Sequence, residues 1–156
     1  MDKTKPPGIA IERINLLWCD FGVVDHEAPR SFSLHVTSYS RTQLEQDSLL
    51  GVTIEFDLMK GIPTPPLKFR CAFGATYSRS KDANMAWEEL SDHVIVAHLL
   101  PYLREFVSNM TARLSFPAIM LPPFNAHQLI ARYQEQARNL TAGADQVALV
   151  SPTPES

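Results

Sequence analysis

Cysteine, glycine, positive charge in excess and long apolar runs are all scarce in this 156-residue chain, and each shortage excludes something. Two cysteines, Cys19 and Cys71, stand in separate apolar segments. They are too few for a disulfide framework or a zinc cluster and fit a reducing compartment. The six glycines form neither a phosphate-binding loop nor a dinucleotide fingerprint, and neither a nucleophile elbow nor a paired-histidine metal motif occurs. No stretch of about eighteen apolar residues exists, so a membrane-spanning helix is not expected. Fourteen Lys and Arg against seventeen Asp and Glu leave a formal charge of -3 and a pI near 5.9. That balance argues against a nucleic-acid partner. The opening MDKTKPPG passes from charge into prolines without an apolar core, unlike a secretory signal, and the expected location is cytoplasmic.

What is present is an ordinary globular composition, 45% hydrophobic and 20% charged, of a length that suits one domain. Residues 1–140 are expected to form it, with residues 141–156 as a flexible C-terminal tail. Residues 9–18 are rich in β-branched and long apolar side chains. In residues 31–42, Phe32, Leu34 and Val36 alternate with Ser33, His35 and Thr37; in residues 50–60, Val52, Ile54, Phe56 and Leu58 alternate with Thr53, Glu55 and Asp57. A fourth segment sets Leu67, Phe69, Cys71, Phe73 and Tyr77 opposite Lys68, Arg70, Gly74 and Thr76. A period of two means half-buried strands, and the short links between them predict an antiparallel meander.

The period then turns helical. A short polar helix is expected around Trp87 and Glu89, and Leu99, Leu103, Phe106, Met110 and Leu114 form an i, i+3/i+4 stripe. Pro101 is cheapest in a first helical turn, which predicts a helix over 101–114. Asn125 is a good N-cap for a last helix reaching toward Arg138. Between the two lies a link in which Phe116, Ile119, Met120, Leu121 and Phe124 are interleaved with Pro117, Pro122 and Pro123. Proline keeps such a segment extended and removes N–H groups that would demand partners. An apolar groove wall and a loop folded onto the core are both open readings.

No constellation here points to catalysis. His93 and His98, five apart, fall on different helix faces and make a poor shared metal site. The acidic clusters at Asp25, His26 and Glu27 and at Glu88 with Glu89 read as solvated loop and helix faces; Cys71 reads as a core thiol. Val107 and Leu114 widen the helical stripe beyond what one sheet face covers, as at a subunit interface. An enzyme of the hotdog thioesterase type is the alternative from another class, with Glu105 as its carboxylate.

The chain resembles the SecB family of protein-export chaperones. The similarity is densest from Pro101 through Tyr102, Arg104, Glu105, Met110 and Arg113 on the long helix, Phe116 and Pro117 at its end, then Leu121, Pro123, Asn125, Leu129, Tyr133 and Gln136. Ile11, Arg13 and Ile14 fit the family's opening strand, and Glu27-Ala28-Pro29 its first loop. The resemblance implies an α+β fold, a four-stranded antiparallel sheet with a long helix and a second C-terminal helix. It implies an ATP-independent holdase without cofactor or metal, assembled as a dimer of dimers, that binds unfolded preproteins and passes them to SecA. Phe116, Pro117, Ile119, Leu121, Pro123, Phe124 and Tyr133, with Phe32, Leu34 and Val36, are the expected client groove. Tyr102, Phe106, Val107 and Met110 are the expected oligomer interface, and Glu27, Asp25 and Asp20 the candidates for docking SecA. Lys68 and Arg70 stand where the family pattern has an apolar residue and an acid, Leu114 replaces a helix-ending glycine, and the tail lacks the family's acidity. A solitary SecB-like chaperone serving a toxin–antitoxin system would keep the groove and change the docking face.

Overall fold

The computed structural model describes residues 8–27, 29, 31–45, 47–115 and 117–148. Alternation produces four strands, β1 (Ile9–Val23), β2 (His35–Leu44), β3 (Leu49–Asp57) and β4 (Leu67–Arg79). They form one antiparallel sheet in the order β1-β4-β3-β2. β2, β3 and β4 follow one another as the expected meander. β1 instead adds to the far side of β4, so the link from β1 to β2 crosses the sheet end. Val24 and Asp25 N–H both donate to the Pro66 carbonyl, and Ser33 N–H to that of Leu58. The crossing spans three strand spacings, roughly 14 Å, a distance that short-turn reasoning does not anticipate.

Inward-facing residues of the central strands make the core: Leu50, Val52, Ile54 and Phe56 from β3, and Leu67, Phe69, Cys71, Phe73 and Tyr77 from β4. A 3₁₀ turn, Trp87–Glu89, leads into α1 (Asp92–Thr111), which seals this face with Ile95, Val96, Leu99, Leu100, Leu103 and Val107. The entry to α1 is fixed by Arg41. Its guanidinium donates to the Leu90 and Trp87 carbonyls at 2.8 and 2.6 Å and to Asp92 Oδ1 at 2.8 Å, where the Tyr39 hydroxyl also donates at 2.8 Å.

α1 begins nine residues before the start expected at Pro101, which lies inside the helix. An interior proline costs about 3 kcal/mol. Each buried aliphatic side chain returns about 1.5–3 kcal/mol, and Ile95, Val96, Leu99 and Leu100 all precede Pro101. Packing outweighs propensity here. The helix also stops at Thr111, short of Leu114.

α2 (Ala126–Ala148) starts where expected: Asn125 Oδ1 accepts the Gln128 N–H at 3.1 Å. It continues past Arg138, so residues 141–148 of the expected tail are helical, while residues 149–156 lie outside the described residues. Its first turns dock on the core. Leu129 and Ile130 are buried, whereas residues 134–142 are exposed all round.

Candidate functional site

The link between the helices is held by a ladder of side chains from α1. Thr111 Oγ1 accepts the Ile119 N–H at 2.8 Å while donating to the Val107 carbonyl at 2.8 Å. One turn earlier, the Ser108 hydroxyl donates to Met120 Sδ at 3.2 Å; a further turn back, Arg104 Nε donates to the Leu121 carbonyl at 3.0 Å. Residues 111, 108 and 104 share one helix face. Three successive link residues are therefore pinned antiparallel to the helix as an extended strip.

Extension makes the strip alternate. Ile119 and Leu121 are buried in the core, and Met120 between them is 72% exposed. Beyond it Pro122 and Pro123 are exposed, and Phe124 is half-buried against the core, as is Tyr133 on α2. Of the expected groove residues, Ile119 and Leu121 offer no open surface, because the strip folds them inward. Leu34 and Val36 are likewise buried core residues, and Phe32 is half-buried. Pro117 is exposed, and Phe116 lies outside the described residues. Met120, which the groove expectation omitted, is the most open apolar side chain of the strip; its place between two inward-facing residues was the available signal.

A second apolar surface was missed altogether. β1 is an edge strand of fifteen residues with Ile11, Leu16, Leu17, Trp18 and Val23 exposed. Its register with β4 puts Ile11, Leu16, Phe21 and Val23 on the same side as α1, where Ile11, Leu16 and Val23 stay exposed. Phe21 starts a series of edge-to-face contacts, Phe21–Phe69 at 5.3 Å, Phe69–Phe106 at 5.8 Å and Phe106–Phe73 at 5.9 Å, joining β1 to the helix. A bulge between Leu16 and Trp18 turns Leu17 onto the opposite face. One of its methyls sits 3.1 Å from where a Cβ on Gly74 would stand, so a larger residue there would have to push Leu17 aside. Trp18 shares that face, with the Arg70 guanidinium 5.8 Å above its ring. The run Leu16-Leu17-Trp18, apolar without alternation, was the sequence signal for an edge with two apolar sides.

Among the residues expected at an oligomer interface, Tyr102 is 48% exposed and Phe106 and Met110 are half-buried. Val107 is fully buried against its own sheet and reaches no neighbour. The acidic candidates divide. Asp20 is paired with Lys68 at 2.5 Å, and on the same face Asp57 lies 4.0 Å from Arg70. Asp25 and Glu27 remain exposed in the crossing link, where Asp25 Oδ1 accepts the Glu27 N–H at 3.4 Å. Lys68 and Arg70 thus stand beside two of the acids of the outer sheet face.

Glu105 lies on the solvent side of α1, at a shallow depression of about 320 Å³ shared with Arg104 and Met120. No cluster of three His, Cys, Asp or Glu able to hold a metal occurs among the described residues. No helix among them is long and apolar enough to cross a membrane.

No family model and no curated protein matches the chain. Among solved structures, the SecB-like chaperone Rv1957 of Mycobacterium tuberculosis, in complex with a ChAD peptide from the HigA1 antitoxin, is similar at a TM-score of 0.58 and 22% identity. The match covers 74% of this chain and 90% of that one. A protein of unknown function from Streptococcus agalactiae matches at a TM-score of 0.45 and 8% identity over 74% of this chain and 97% of its own. The fold is the SecB-like one: a four-stranded antiparallel sheet with two helices.

Proposed function

We propose that the chain is an ATP-independent, non-catalytic holdase that keeps extended, partly apolar polypeptides from aggregating. The observation that carries this reading is the pinned strip beside α1. It presents Met120, Pro122, Pro123 and Phe124 on a rigid backbone, close in sequence to the half-buried Tyr133. Methionine and aromatic side chains accept many sequences, because their contacts are broad and adaptable rather than directional. The SecB-like fold supports the same reading.

A specialised client, such as the antitoxin of a toxin–antitoxin pair, is favoured over general export. The Mycobacterium tuberculosis neighbour was solved with an antitoxin peptide, and two acids of the outer sheet face here, Asp20 and Asp57, stand beside Lys68 and Arg70. Transfer of preproteins to SecA is the second reading, resting on the exposed Asp25 and Glu27. We assign assembly to the β1 edge together with Tyr102, Phe106 and Met110, as a homodimer that pairs again into a tetramer in the cytoplasm. An unpaired apolar edge of this length is a template for another strand.

The test is client binding by Phe124→Ser and Tyr133→Ser variants, read by fluorescence anisotropy of a labelled unfolded polypeptide. Each substitution removes apolar contact worth about 1–2 kcal/mol, a roughly five- to thirtyfold loss of affinity. Native mass is expected to stay unchanged. Unaltered affinity in both variants, with the fold intact, would place the client elsewhere.

A further inference from the structure

The only two cysteines of the chain, fifty-two positions apart, face one another directly across β1 and β4. Hydrogen bonding decides how closely. Leu58 N–H donates to Phe69 O and Arg79 N–H to Ser48 O, so bonded pairs between β3 and β4 fall at 58/69 and 48/79, and by alternation at Phe56/Cys71. The Cys71 backbone is thereby turned to β3, and toward β1 the pair Cys19/Cys71 is non-hydrogen-bonded. The Val24 N–H bond to Pro66 O gives the same phase from the other end of β1. Non-bonded pairs bring opposite Cα atoms to about 4.5 Å and their side chains closest together. That separation lies at the short end of the disulfide range of about 4.4–6.8 Å. Both side chains point to the α1 side, with Phe21 opposite Phe69 on one flank.

We propose that Cys19 and Cys71 are a convertible dithiol, oxidised by a low-molecular-weight disulfide to a cross-strand disulfide that fastens the β1 edge to the sheet. Cys19 is the entry point, being only half-buried, whereas Cys71 is fully enclosed. The Cys19 thiol gives up its proton to water and its thiolate attacks one sulfur of glutathione disulfide. A Cys19–glutathione bond forms and one glutathione thiolate leaves, taking a proton. Cys71 then loses its proton and attacks Cys19 Sγ, releasing the second glutathione. Two protein thiols lose two electrons and two protons, and one disulfide becomes two thiols. Burial raises both thiol pKa values, that of Cys71 to about 12, and Asp20 raises that of Cys19 further. The thiolate fraction is small at neutral pH, so conversion is slow and its rate climbs about tenfold per pH unit.

The experiment incubates the full native chain with glutathione disulfide and follows intact mass and a non-reducing peptide map. The expected product has lost two hydrogens and links the peptides containing Cys19 and Cys71. Cys71→Ser, or Cys71→Ala should the first fail to fold, accumulates a glutathione adduct on Cys19 that the unsubstituted protein passes through. Amide exchange along β1 slows by about tenfold on oxidation. A permanent adduct on Cys19 in the unsubstituted protein would overturn the proposal. So would links between two chains through Cys19, or a native protein left reduced while its urea-unfolded form reacts at both thiols.

Discussion

At the scale of single residues, basic and acidic side chains meet on the outer sheet face. Lys68 pairs with Asp20, and Arg70 lies between Asp20 and Asp57 in the register. Exposed pairs of this kind contribute about 0–1 kcal/mol, so their importance lies in the surface they present rather than in stability. His35 is different. Burial lowers its pKa below the ordinary 6.5, assisted by Lys60 and Arg132 and opposed by Asp57, while its ring lies 2.8 Å from Ser33 Oγ. The unfolded chain then binds this proton more readily than the folded one. Stability is full above about pH 6.5 and declines as pH falls from there through the lower folded value. Urea midpoints taken across that window should fall more steeply with acidity in the unsubstituted protein than in His35→Gln; equal slopes would refute the assignment.

The elements show what could be read in advance and what could not. Clean alternation in β3 and the capping Asn125 were legible because each depends on a few neighbouring residues. The start of α1 was not. Its cost at Pro101 is local, but the compensation comes from Ile95, Val96, Leu99 and Leu100 against a sheet formed by distant residues. The link between the helices was legible only as two alternatives, and the structure divides it between them: Ile119 and Leu121 inward, Met120 and the prolines outward. Thr111 is the pivot, fully buried and bonded on both sides. Thr111→Val keeps the shape and leaves the Ile119 N–H without its acceptor, which costs about 1–3 kcal/mol. Chemical denaturation should show that loss with an unchanged m-value. A shift under about 0.5 kcal/mol would mean that the ladder does not hold the strip.

For the whole molecule, the decisive feature is that one sheet edge and one strip beside the long helix keep apolar groups open while the core closes around Trp87, Tyr77, Phe56 and Phe69. The edge position of β1 was hidden from sequence, since strand order depends on a crossing link rather than on any pattern within the strand. Assignment of that edge to assembly predicts that Leu16→Lys lowers the native mass measured by light scattering, with little change in the circular dichroism of the subunit. An unchanged mass would remove β1 from the interface. Holding of unfolded clients remains the central claim. Its most direct measurement is the light scattering of a chemically unfolded polypeptide diluted into stoichiometric amounts of this protein without nucleotide. The account predicts suppressed scattering and a recoverable complex. Aggregation as fast as in buffer, from a folded and correctly assembled protein, would contradict it.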